Sequence, residues 1–147
     1  MLAIPSIYKL YHEISGGITI TMIIFIVAFA VGSCILTCFF SVNESKEVVT
    51  PASKIHGAGS VIGFMLFLFV PLLIAILSFK GRDKTMGIIS IICFVAALAF
   101  FTLFVISDKP EFKKSFVDNE GLWQRLNLLC MYLPLAVISV KKLKEML

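Results

Sequence analysis

Charge is scarce in this 147-residue chain: Asp, Glu, Lys and Arg make up 15% of it, against 59% hydrophobic residues. Soluble domains carry charge on about a quarter of their residues, so an ordinary water-exposed globular fold is excluded. With a mean hydropathy of +1.01, the expected solvent is the bilayer. Histidine is scarcer still. His12 precedes the first apolar run and His56 opens the second, so a haem held by both would need ligands a bilayer apart. No spacing of His, Cys, Asp or Glu resembles a zinc site, and neither a metal nor a cofactor is expected. Ionisable groups are missing from the centre of every apolar run, which excludes an ion or proton path through one copy. No period of twenty to fifty residues recurs, which excludes a repeat architecture. An A-x-A cleavage pattern after a basic start is also lacking, and the first apolar run is too long for a signal peptide, so uncleaved insertion is expected.

What the chain has is hydrophobic length. Four apolar runs, at about residues 18–40, 55–79, 86–106 and 121–140, are each long enough to cross roughly 30 Å of hydrocarbon as a helix. Too little chain remains for a second domain. The expected fold is an all-α membrane protein, an antiparallel four-transmembrane-helix bundle forming one domain over residues 1–147. Polar connections are read at 41–54 and 107–120, and the tight basic turn from Lys80 to Lys84 forces the second and third spans to be antiparallel neighbours. Pro71 removes a backbone donor and crowds the carbonyl of Phe67, which predicts a kink in the second span. Pro134 falls inside the fourth. Cys34, Cys38, Cys93 and Cys130 all lie in apolar stretches, where thiols act as small hydrophobes and say little about redox compartment.

The net charge of +4 comes from lysines clustered at the ends of apolar runs, a topology signal rather than a nucleic-acid footprint. Lys9, Lys80, Arg82, Lys84, Lys141, Lys142 and Lys144 would lie on one side, against Lys46, Lys54, Lys109, Lys113 and Lys114 on the other. By the positive-inside rule both termini are expected in the cytoplasm of a multi-pass cell-membrane protein. Tyr8, Tyr11, His12 and Glu13 precede Gly16-Gly17, so this stretch reads either as a short interfacial helix or as an extra turn of the first span.

Two constellations carry candidate chemistry. His56, Gly59, Ser60 and Gly63 share one helical stripe at the start of the second span. Gly59 and Gly63 form a small-xxx-small seam, as do Ala28 and Gly32 in the first span, and both seams invite close helix contact. The plain reading of the stripe is such a seam ending in an interfacial histidine. The fourth span opens with Glu120, Trp123, Gln124, Arg125 and Asn127. In an up-down bundle these lie at the same membrane boundary as His56, so a polar outer mouth can form from His56, Ser60, Glu120, Gln124, Arg125 and Asn127. The plain reading there is Arg125 snorkelling to the surface and Trp123 anchoring in the interfacial belt, or Arg125 pairing with Asp118 or Glu120. Ser60 lies one turn from His56, but no acid in the span is placed to orient the imidazole, so no catalytic residue is assigned.

Lys54-Ile-His-Gly-Ala-Gly-Ser opening one helix and Gly121-Leu-Trp-Gln-Arg-Leu opening the last, at this separation, resemble the prokaryotic integral membrane proteins grouped as domain of unknown function 998 (DUF998). The resemblance covers about residues 18–140 and rests on these two motifs. It implies a multi-helix fold in which His56 and the Gln124-Arg125 pair are shared polar features, and it implies no substrate. Members often have more spans than four, which would make this chain a shorter one.

The function expected is therefore that of a small, non-enzymatic membrane protein. Its polar outer mouth would bind a lipid headgroup, a small amphiphile or a partner membrane protein, with Arg125 gripping an anionic group. The alternatives are a lipid-modifying enzyme using His56 as general base, and a structural or homo-oligomeric subunit assembled through the Gly59 and Ala28 seams.

Overall fold

A computed structural model of the chain describes residues 3–39, 50–107 and 118–146, which are helical almost throughout. Helix α1 (Ala3–Phe29) runs through a π-helical turn (Ala30–Ile35) into α2 (Leu36–Phe39). Then follow α3 (Pro51–Leu68), α4 (Val70–Lys80), α5 (Lys84–Ser107) and α6 (Glu120–Met146). Four stretches are long and apolar enough to cross a membrane: Ile14–Ile35, Pro51–Lys80, Lys84–Ser107 and Glu120–Lys141. The chain is a multi-pass membrane protein built as an all-α four-helix bundle. Most of the two polar connections read at 41–54 and 107–120 lies outside the described residues, as does the side chain of His12.

Local chemistry sets the helix ends. Thr50 caps α3 through a capping box: its side chain accepts from the Ser53 N–H and the Ser53 side chain accepts from the Thr50 N–H, with Pro51 at the first position. The helix thus begins four residues before the hydropathy of the second span does. Asp83 starts α5 by accepting from the Met86 N–H at 3.1 Å. Asn119 starts α6, where its carbonyl accepts from Leu122 and Trp123.

Two helices are interrupted. Ser15 is non-helical at φ −163° and ψ 92°, so the N-terminal stretch of α1 is set off from the span by a break in the helix. The carbonyl of Ser15 accepts from the buried Thr19 hydroxyl at 2.9 Å. In the second span the helix breaks at Phe69, which ends α3, and restarts at Val70-Pro71. That is the kink Pro71 predicts, because no N–H at 71 can reach the Phe67 carbonyl.

The spans alternate in direction. Gly81, in the turn after the second span, faces Ile14 at the start of the first, and Lys141 at the end of the fourth pairs with Asp83 in that turn. One end of the bundle therefore holds the start of span one, the turn and the end of span four. The core between the spans contains Met22, Phe29, Phe67, Ile74, Leu77, Met131 and Ile138. At its centre Phe29 stacks on Phe67 at 4.4 Å between ring centroids, and Tyr132 lies 4.9 Å from Phe67.

The small-residue stripes of the first two spans face each other. A Cβ on Gly32 would lie 2.5 Å from the Gly59 carbonyl oxygen, and one on Gly63 would lie 3.2 Å from the Ala28 carbonyl oxygen. Both stripes are occupied within one chain, so assembly with another copy would have to use a different surface.

Candidate functional site

At the end of the bundle away from the Asp83 turn, a cavity of about 410 Å³ opens between spans one, two and four. Its polar wall is Ser33, Cys34, His56, Ser60, Gln124 and Tyr132; Phe29, Phe64 and Leu128 supply the rest. A second cleft of about 250 Å³ runs between spans two and three. Val61, Phe64, Met65, Phe101, Phe104 and Val105 make it almost wholly apolar. Ser60, Phe64 and Gln124 border both spaces.

Each wall has a local cause. The π-helical turn at Ala30–Ile35 carries Ser33 and Cys34 on a wider coil than an α-helix, and such turns recur at functional sites. The Ser33 hydroxyl donates to the Ser60 carbonyl at 3.1 Å, tying this turn to α3. His56 and Ser60 are four residues apart on α3, hence on one face, and Gln124, Leu128 and Tyr132 repeat the same spacing on α6. Among the described residues neither the Ser60 hydroxyl nor the Gln124 side chain has a hydrogen-bond partner, so both offer their bonding capacity to the open space. Among the described residues no Asp, Glu, Lys or Arg lines either cavity.

The six residues singled out in the sequence are distributed unequally. His56, Ser60 and Gln124 share the cavity; Glu120, Arg125 and Asn127 do not line it. Arg125 is exposed, and among the described residues no ion pair joins it to Asp118 or Glu120. Glu120 is the exposed first residue of α6, where its charge complements the helix dipole. Asn127 is fully buried, and neither its Nδ2 nor its Oδ1 has a hydrogen-bond partner. Trp123, expected in the interfacial belt, is instead buried to 6% exposure and stacked on Phe100 at 6.2 Å. Helix rotation turned it inward, where a ring gains more from packing than from the interface.

Sequence reasoning missed Ser33, Cys34 and Tyr132. Gly32-Ser33 inside an apolar run is a weak polar signal, but the π turn that aims Ser33 and Cys34 leaves no pattern in composition. Among the described residues no three His, Cys, Asp or Glu side chains group as metal ligands.

A family described as protein of unknown function (DUF998) matches residues 2–141. The chain belongs to the DUF998 family. The match runs from the N-terminal helix to the last residue of the fourth span, so all the cavity-lining residues lie within the DUF998 region. No curated protein and no solved structure matches this DUF998 chain.

Proposed function

We propose that this DUF998 protein binds a membrane amphiphile in the paired cavities, the polar head beside His56, Ser60 and Gln124 and the apolar part along Phe64, Phe101 and Phe104. The observation that carries this reading is the shared border: a polar space and an apolar cleft meet at two side chains, Ser60 and Gln124, whose hydrogen-bonding groups are unoccupied among the described residues. Their combined size is in the range of small-molecule pockets, roughly 300–1,000 Å³. In this reading both termini face the cytoplasm and the mouth opens toward the outer leaflet, in keeping with the excess of Lys and Arg on the terminal side.

Binding is preferred to catalysis because the two adjoining spaces, one polar and one apolar, match the two halves of an amphiphile. It is preferred to an assembly role because the Gly59 and Ala28 stripes are already packed against one another. The test is native mass spectrometry of the protein extracted in mild detergent. Wild type should carry an amphiphile that is lost from the Ser60→Val/Gln124→Leu double variant. Retention of the same adduct by a correctly folded double variant would remove the reading.

A further inference from the structure

Lys80, Arg82 and Lys84 stand close together in the turn that joins the second and third spans, and the backbone at Arg82 is unusual. The last turn of α4 closes as a Schellman motif: the Arg82 N–H donates to the Phe79 carbonyl at 3.2 Å and the Asp83 N–H to the Ser78 carbonyl at 2.9 Å. That motif puts the residue after the helix cap in the left-handed region, a position glycine normally fills because it has no Cβ to crowd the backbone. Here Gly81 stands one place too early, at φ −77°, and Arg82 takes the left-handed position at φ 64°. Local preference argues against an arginine at 82, and a side chain held in a strained position implies a use for it. We infer that Arg82, flanked by Lys80 and Lys84, binds the phosphate of an anionic phospholipid in the leaflet that this turn touches.

The surroundings fit that partner. One membrane-spanning stretch ends at Lys80 and the next begins at Lys84, so the turn lies at headgroup depth. Lys80, Arg82 and Lys84 are exposed, while the one acid of the turn, Asp83, is already bonded to Lys141 and to the Met86 N–H. The turn therefore presents net positive charge to the headgroups, well within the screening length of about 8 Å at physiological salt. A guanidinium offers a planar fork of donors that matches two phosphate oxygens, and each neighbouring ammonium adds attraction without a fixed geometry. The whole chain is biased the same way. By chain order this end carries seven basic and three acidic residues, while six of each cancel at the other, so the entire charge of +4 belongs here. An anionic leaflet attracts such a cluster far more than a zwitterionic one does. The cavity at the opposite end plays no part, so this site stands independently of the amphiphile reading.

The experiment titrates the purified full-length protein, in mild detergent, with equal amounts of dioleoyl phosphatidylglycerol and dioleoyl phosphatidylcholine, which share their chains and differ in the head. Native mass spectrometry should show that wild type prefers phosphatidylglycerol. Arg82→Gly should cut that preference by about fivefold, the scale of one basic residue beside an anionic surface. The same variant should melt at or above the wild-type temperature, because glycine suits the left-handed position. Arg125→Gln, which removes an exposed cation at the other end, should leave the preference unchanged. Equal binding of the two lipids by wild type, full preference in Arg82→Gly, or the same loss in Arg125→Gln would overturn the site. A lower melting temperature for Arg82→Gly would overturn the claim that arginine is held there against the preference of the turn. Displacement of the lipid by millimolar inorganic phosphate would assign the same groups to a free anion and overturn the headgroup.

Discussion

Gly32 and Gly57 show what a single methyl group can decide. At Gly32 an added Cβ would meet backbone, the Gly59 carbonyl oxygen, and backbone cannot swing aside; at Gly57 nothing lies within 4 Å. Gly32→Ala should therefore destabilise the protein by about 1–3 kcal/mol, the range for overpacking a close contact. Gly57→Ala should be neutral or stabilising by roughly 0.5–1 kcal/mol, from the lower flexibility of alanine in a helix. Thermal unfolding of both variants in one detergent checks the contrast. Asn127 poses the opposite case. An unpartnered buried amide carries a desolvation cost of about 1–3 kcal/mol, so Asn127→Leu, close in size, should raise the melting temperature. A lower melting temperature would mean that the amide is satisfied by bound water. Small-residue spacing and the amide are both visible in the sequence; which surface each one meets is not, because that depends on how far each helix is rotated.

At the scale of elements, the irregular turns do the aiming. An α-helix bonds each N–H to the fourth carbonyl back, whereas the π turn at Ala30–Ile35 reaches the fifth, so it holds about one residue more than a regular turn. Deleting Val31, which is exposed, should remove that extra residue and convert the turn to regular helix, re-aiming the residues within the turn while the helix beyond it keeps its phase. Ser33 and Cys34 would then swing away from the cavity. The expected result is retained helicity by circular dichroism with loss of the co-purified amphiphile; retention of both would show that the π turn does not shape the site. The break at Phe69 was legible from Pro71 because proline acts on its own backbone. The π turn was not legible, since it answers to packing between spans.

Across the whole molecule, one ion pair joins the turn between the second and third spans to the end of the fourth. The Lys141 ammonium bonded to Asp83 holds that carboxyl below the usual carboxylate range, and the Met86 N–H adds to the effect. A carboxyl whose pKa is lowered on folding stabilises the fold above its unfolded value, near 3.9, and loses that contribution as pH falls through the lowered value. Both partners are partly exposed, so the contribution is small. Asp83→Asn should lower the melting temperature slightly at pH 7 and narrow the gap to wild type as the medium is acidified toward pH 3. An unchanged gap across that range would show that the pair contributes nothing to stability.

The sequence by itself determined membrane residence, four helices and most of their ends, because hydrophobic length, proline and capping residues act within a few positions of where they stand. Only the tertiary structure decided which polar groups meet. Gln124 and Arg125 are consecutive and both exposed, yet at 3.6 residues per turn they point roughly 100° apart, so one borders the cavity and the other does not. Helix rotation is fixed by contacts between spans, at Gly32 against Gly59 and Phe29 against Phe67, and those contacts join residues far apart in the chain.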